Sequence, residues 1–347
     1  MIMKKTILKG ICFCVVLTGL LALANLVYVK WFYYEDVVEA DATMLFKLDS
    51  LENVADVIYI GESSNTTYSP TDTCTRKISE LIQRQVPGVV VGALDHGAYH
   101  AKGYLELIKN ITPDSRVKTL IVTMNLRSFG AVWINSALET PLMKANVMYS
   151  KYPPIIKRMM LAFGEYDQKT WEERVPIIQD HWKNDKLNVQ PDFPYKNTFV
   201  WDAGRCMAGV DTFPDGTWDQ ARIAFACNFI KTFGFSIDTL TNPRIKDFDE
   251  IVAVCKEKNL NLVFNLMAEN VQYADSLGGN QLTLLIRQNR DLLMKRYSKN
   301  GVIVVDNVEK VPGKNFIEQD GISEHYDQLG RWIVATNVVA KAGKYLK

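Results

Sequence analysis

Val57-Ile58-Tyr59-Ile60-Gly61-Glu62-Ser63-Ser64-Asn65 is an apolar run that stops abruptly at a glycine and a serine pair. A run of this length, all apolar up to its end, reads as a strand buried on both faces. Open α/β sheets bind ligands outside the carboxyl ends of their strands, so a hydroxyl delivered there stands where a nucleophile would. The glycine permits the tight turn that follows. The same residues also suit a plain strand-to-loop turn, and the rest of the chain decides between the two.

Outward from that stretch, strand-like and helix-like segments alternate. After the strand at 55–60, residues 73–85 read as a helix, with Ile78, Leu81 and Ile82 forming an apolar stripe. A strand at 89–94, a short helix at 102–109 and a strand at 119–124 follow. Later come a helix at 248–258, a strand at 260–266, a helix at 281–297, a strand at 302–306 and a last helix at 331–345. Strands separated by helices imply right-handed parallel βαβ units covered on both faces, hence a three-layer α/β/α domain.

The rhythm breaks between about 130 and 243. This stretch holds Trp133, Trp171, Trp182, Trp201 and Trp218, five of the seven tryptophans, and is punctuated by Pro153-Pro154, Pro191, Pro194 and Pro214-Asp215-Gly216. It reads as a large insertion between the third and fourth strands, part helical around 155–163. Its aromatic side chains suit either a sugar-binding platform or a small satellite core.

The N-terminus is of another kind. Lys4, Lys5 and Lys9 precede a mainly apolar run from Ile11 to Val29, close to the length that crosses a bilayer as a helix. Lys30 and the aromatic group Trp31, Phe32, Tyr33 and Tyr34 follow, at the level of the membrane interface. The lysines before the span place the N-terminus inside and the bulk of the chain outside. Ala22-Leu23-Ala24 resembles a signal-peptidase site, so a cleaved signal peptide competes with an anchor. The apolar character continues past it through Leu26, Val27 and Tyr28, which favours the anchor. The expected division is therefore 1–34 as anchor or signal peptide and 35–347 as the α/β domain, working outside the cytoplasm.

At 347 residues the chain has ample length for a buried core, and 48% hydrophobic with 23% charged residues is ordinary for a globular domain. A net charge of +1 argues against nucleic acid as a partner. Cys12 and Cys14 fall inside the apolar span. Cys74, Cys206, Cys227 and Cys255 would meet an oxidising compartment, where they allow three disulfide pairings or remain buried thiols. Their spacing matches no zinc pattern, and no metal or organic cofactor is implied.

A serine is a poor nucleophile at neutral pH and needs a base within hydrogen-bond reach and donors for the developing oxyanion. Of four histidines, His96, His100, His181 and His325, the last lies in the polar loop Asp320-Gly321-Ile322-Ser323-Glu324-His325-Tyr326-Asp327-Gln328-Leu329-Gly330-Arg331. That loop joins the last strand to the last helix, so His325 belongs to the same edge of the sheet as Ser63.

With these residues the chain resembles the SGNH/GDSL hydrolase superfamily, whose members build a short flavodoxin-like sheet and scatter their motifs along it. The resemblance covers about 54–342. Gly61-Glu62-Ser63 stands for the family's Gly-Asp-Ser, which implies Ser63 as nucleophile. Gly97, in Asp95-His96-Gly97-Ala98, stands for the oxyanion-hole glycine, and Asn125, after the third strand, for the family asparagine. His325, followed five residues later by Gly330, keeps the spacing of the base histidine. The implied oxyanion hole is the Ser63 and Gly97 N–H groups with the Asn125 amide. The family places its acid three residues before the histidine, where this chain has Ile322. Asp320 is the expected substitute, with Glu324 as the alternative or a Ser-His dyad if neither serves.

Anchoring, export and the insertion narrow the resemblance to membrane-anchored proteins that accompany multi-pass O-acyltransferases in envelope modification, including the lipoteichoic-acid D-alanylation type. This implies a serine acyl-ester hydrolase or O-acyltransferase acting on a cell-envelope polysaccharide or acylated polymer, with a membrane O-acyltransferase as partner. Arg127, two residues past Asn125, would contact an anionic substrate group or serve as a salt-bridge partner. The alternative is a non-catalytic protein of the same fold that binds a glycan or the membrane partner.

Overall fold

The computed structural model describes residues 2–189, 193–207, 212–299 and 301–347. The turn expected at Pro191 and the side chains of Lys4 and Cys206 lie outside the described residues. Five strands, β1 (Val57–Gly61), β2 (Val91–Asp95), β3 (Thr119–Met124), β4 (Asn261–Leu266) and β5 (Ile303–Asp306), form one parallel sheet in the order β2-β1-β3-β4-β5. This is the flavodoxin-like order, and the strand sequence reverses between β1 and β3. The register pairs Val57 with Val91 and Thr119, Thr119 with Asn261, and Val263 with Ile303.

Every residue of β1 and β3 is buried, as their unbroken apolar sequence requires, whereas edge strand β2 alternates buried and half-buried positions. The pleat divides the core in two. Val57, Tyr59, Ile121, Val263 and Val305 face helices 78–85 and 328–346 through Ile78, Ile82, Val334 and Val338. Ile58, Ile60, Leu120, Val122 and Phe264 face helices 101–110, 243–257 and 280–298 through Leu105, Ile108, Phe248 and Leu285. The α/β/α layering is thus the direct result of apolar strands alternating with one-sided helices.

Two helices start elsewhere than their periodicity suggests. Residues 73–77 are not helical, and the helix begins at Ile78, because the backbone N–H groups of Thr73 and Cys74 both donate to the Gln328 side chain. The helix expected at 248–258 begins at Pro243, where Asn242 accepts from the Arg244 N–H and proline occupies the first turn.

Between β3 and β4 the chain is largely helical, with segments at 131–134, 139–149, 154–163, 171–184, 198–207 and 220–233. Its tryptophans divide between two roles. Trp201 is 1% exposed and stacks on Tyr195 at 5.1 Å, so it belongs to the core, while Trp171 and Trp218 are each about half exposed. Cys74 and Cys255 take part in no disulfide.

Residues 2–31 form one helix, and its stretch Lys5–Trp31 contains an 18-residue window of mean hydropathy 2.4 with no buried residue, whereas Tyr28 near its end is buried and donates to Asp36 at 2.7 Å. By length and composition it suffices to cross a membrane, as an anchor or a signal sequence. Its last turns are tied to the domain: Asn25 Oδ1 accepts from the Ile155 N–H at 2.9 Å, at the start of helix 154–163.

Candidate active site

β1 ends at Gly61, and the position admits no side chain. A Cβ there would stand 2.8 Å from Tyr59 Cε1 and 3.1 Å from Thr123 Cγ2. This close packing of β1 on β3 sets the direction in which Glu62 and Ser63 leave the sheet. Ser63 opens a single helical turn, Ser63–Thr66, and Asn65 beneath it is fully buried, bonded to Ser79 and Asp95.

The loop bearing His325 is a narrow hairpin. Phe316 and Tyr326 form an antiparallel bridge, and the Ile317 N–H donates to the His325 carbonyl at 2.9 Å. The imidazole reaches the serine: Ser63 Oγ and His325 Nε2 are 2.9 Å apart across 262 positions of sequence. Gly330 makes the approach possible, since a Cβ there would stand 2.7 Å from Tyr326 Cβ and 3.1 Å from the Asn315 carbonyl oxygen. Its N–H caps the last helix by donating to Asp327 at 2.8 Å.

The carboxylate against His325 Nδ1 is Glu318, at 3.1 and 3.3 Å, and not Asp320. The hairpin explains the substitution. Pairing of Phe316 with Tyr326 sets Glu318 opposite the histidine, whereas Asp320 lies in the exposed turn where the Gly321 N–H returns to the Glu318 carbonyl. Burial raises the Glu318 carboxyl, but hydrogen bonds with Ser323, at 2.6 Å, and with His325 outweigh it and hold the group below its ordinary value. Glu324, the other alternative, points away from the ring and is wholly buried in an ion pair with Arg127.

Arg127 is accordingly not free to receive a substrate anion. Besides Glu324, it donates to the Ile322 carbonyl at 3.2 Å and lies over the Trp133 ring at 4.5 Å. It is a buried brace for the His325 loop, although it also borders a small cleft near Ser63.

Asn125 directly follows β3 and lines the same cleft, with its Oδ1 buried and unpartnered. Gly97 lies exposed in the turn after β2, where its carbonyl accepts from His96 Nδ1 at 2.9 Å and nothing stands within 4 Å of a Cβ built on it. The residue with left-handed backbone is Ala98, at φ 62°, and Ala98 rather than Gly97 lines the cleft. A non-glycine residue held in that conformation marks a backbone that its surroundings over-determine.

Sequence reasoning did not find a third contact. Glu62, 3% exposed, approaches Ser63 Oγ with its Oε2 at 2.8 Å. The serine oxygen therefore sits between an imidazole nitrogen and a carboxylate oxygen. A hydroxyl has one proton, so it donates to only one of them at a time.

No family model and no curated protein matches the chain. Among solved structures it is similar to the crystal structure of the lipase/acylhydrolase from Enterococcus faecalis, at 9% identity and a TM-score of 0.36, covering 84% of this chain and 97% of that one. A second crystal structure is similar at 10% identity and a TM-score of 0.34, covering 85% and 98%. At these values the likeness carries no functional argument, and the site rests on its own geometry.

Proposed function

We propose that the chain is a serine acyl-ester hydrolase or O-acyltransferase, with Ser63 as nucleophile, His325 as base and Glu318 orienting the imidazole. The carrying observation is the file Ser63 Oγ, His325 Nε2, His325 Nδ1, Glu318, with contacts of 2.9 and 3.1 Å. Ser63 Oγ bonds to the ester carbonyl carbon as His325 Nε2 takes its proton. The Asn125 amide and the Ser63 N–H stabilise the oxyanion, joined by an N–H of the Gly97-Ala98 turn. Collapse breaks the ester C–O bond, and the leaving alkoxide takes the proton back from the imidazolium. The acyl group then passes to water or a sugar hydroxyl by the same steps reversed.

The apolar helix Lys5–Trp31 supports anchoring with the domain on the extracytoplasmic side. The half-exposed Trp171 and Trp218 support a glycan or acylated envelope polymer as substrate, with a multi-pass membrane O-acyltransferase as the natural donor or acceptor partner.

A fluorophosphonate probe tests the chemistry. It should modify Ser63 in the native protein and leave His325→Ala unmodified. The Glu62 contact favours a second reading, a glycan-binding protein that has kept the fold, because a serine donating to Glu62 is not donating to the base. Folded protein that the probe never labels would favour that reading instead.

A further inference from the structure

The cleft bordered by Glu62, Ala98, His100, Asn125, Arg127 and Trp133 has a volume of about 20 Å³. Four of these side chains keep a buried polar atom with no partner in the protein: Glu62 Oε1, His100 Nδ1, Asn125 Oδ1 and Trp133 Nε1. Each unpaired buried group costs roughly 1–3 kcal/mol, so four around one hollow mark a place built for a polar ligand.

The donors and acceptors can be assigned. His100 Nε2 lies 2.6 Å from Glu139 Oε1, which also accepts from Arg244 Nη2 at 2.6 Å. Burial, with the Arg244 charge next, drives His100 down to about 4, so the ring is neutral. Its single proton faces the Glu139 carboxylate, and the buried, unpartnered Nδ1 keeps a lone pair with which to accept. The Trp133 indole is a donor only. The ring is held in place, stacked under Arg127 at 4.5 Å, with its backbone carbonyl accepting from Arg244 at 3.4 Å. Glu62 Oε1, His100 Nδ1 and Asn125 Oδ1 accept whereas Trp133 Nε1 donates, so a methyl group serves none of them, an ammonium serves the three acceptors but leaves the indole unpaired, and a carbonyl serves the indole alone. A hydroxyl donates and accepts at once.

We propose that this cleft is the acyl subsite and selects a short acyl group carrying a hydroxyl on the carbon next to the ester carbonyl. The inference rests on the serine-esterase reading and adds the class of acyl group. Two of the walls, Glu62 and Asn125, also belong to the proposed catalytic groups: Glu62 Oε2 meets Ser63 Oγ, and Asn125 is assigned to the oxyanion. A water molecule needs about 10–15 Å³ by the same measure, so a hydroxymethyl group fits and a sugar ring does not.

The test compares phenyl glycolate, phenyl acetate and phenyl butyrate with the full chain in detergent. The expected order of kcat/KM is glycolate above acetate by roughly tenfold, and acetate above butyrate by a similar factor. Trp133→Phe keeps a ring under Arg127 but has no N–H, and should bring the glycolate-to-acetate ratio close to one. Turnover of all three esters at similar rates would overturn the subsite and leave the esterase standing. If no ester turns over, the neutral analogue glycolamide decides. The Trp133 indole N–H resonance, identified by its loss in Trp133→Phe, should shift with glycolamide and stay in place with acetamide. No shift with glycolamide overturns the proposal independently of catalysis.

Discussion

Arg331 Nη1 donates to Asp72 Oδ2 at 3.0 Å, and both side chains are almost fully buried, at 1% and 4% exposure. The same guanidinium donates to the carbonyls of Thr67, Cys74, Arg76 and Tyr326. Asp72, with the other oxygen, accepts from the Gln328 N–H at 3.0 Å. One arginine on the last helix thereby gathers the whole loop that follows Ser63 and locks it to the residue that follows His325. Arg127 braces the same hairpin through Glu324 and the Ile322 carbonyl. The Ser63–His325 contact is the meeting point of two loops held by buried guanidinium groups.

Arg331→Met should therefore disrupt more than charge. It leaves the buried Asp72 carboxylate without its countercharge, held only by the Gln328 and Ser69 N–H groups, and several carbonyls lose a donor; removing one partner of such a pair costs on the order of 3–5 kcal/mol. Denaturant unfolding should show a loss of that size, and fluorophosphonate labelling of Ser63 should slow under conditions where the variant is still folded. A variant as stable as the native chain would sink this account of how the loops are joined.

Glu318→Gln separates the two candidate acids. It removes the charge facing His325 Nδ1 and should lower kcat/KM, or the labelling rate of Ser63, by roughly ten- to a hundredfold. Asp320→Asn should change neither. Because Glu318 is held below its ordinary value, its support is present above that value and is lost only as pH falls through the lower one. Equal losses in both variants would return the role to the turn.

Ser63, Asn125 and His325 were legible because each ends a strand or precedes a helix in a pattern of five apolar runs, and the sheet order then brings those ends together. Glu318 was not, since its proximity depends on the Phe316–Tyr326 bridge, a pairing of one residue with another that leaves no periodicity. Glu62 as a contact of its neighbour Ser63 was hidden for a related reason: adjacent side chains usually diverge, and only the turn after Gly61 brings these two together. Arg127 follows Asn125 closely enough to suit either a substrate anion or a salt bridge. Its partner Glu324 lies 197 positions away, and long-range ion pairs have no local signature. Within the insertion the helix around 155–163 was legible, and the others were masked by prolines and aromatics scattered around their starts.

Gly61→Ala tests the packing that aims the serine. The added methyl would meet Tyr59 Cε1 at 2.8 Å, in a core with no room to yield, and overpacking of this kind costs about 1–3 kcal/mol. The melting temperature should fall accordingly. An unchanged melting temperature with full labelling would mean that the β1–β3 contact has slack.

The Glu324 carboxyl makes the stability of the His325 loop depend on pH in a direction opposite to that of Glu318. Burial pushes Glu324 up to about 8, with Arg127 pulling it down and Glu62 adding to the rise. Glu269, also buried, is raised well above its ordinary value by burial and then by Glu324. A group raised in the folded chain binds its proton more tightly there than in the unfolded chain. Its stabilisation is thus complete below the ordinary value of 4.5 and drains away as pH climbs through about 8. Each such group contributes a slope of up to about 1.4 kcal/mol per pH unit within that window. Glu324→Gln keeps the shape and removes the proton, so unfolding midpoints measured at about pH 6 and about pH 9 should lie closer together than in the native chain. If the two proteins lose stability in parallel over that range, the buried carboxyl is not the source of the dependence, and the ion pair with Arg127 holds Glu324 charged throughout.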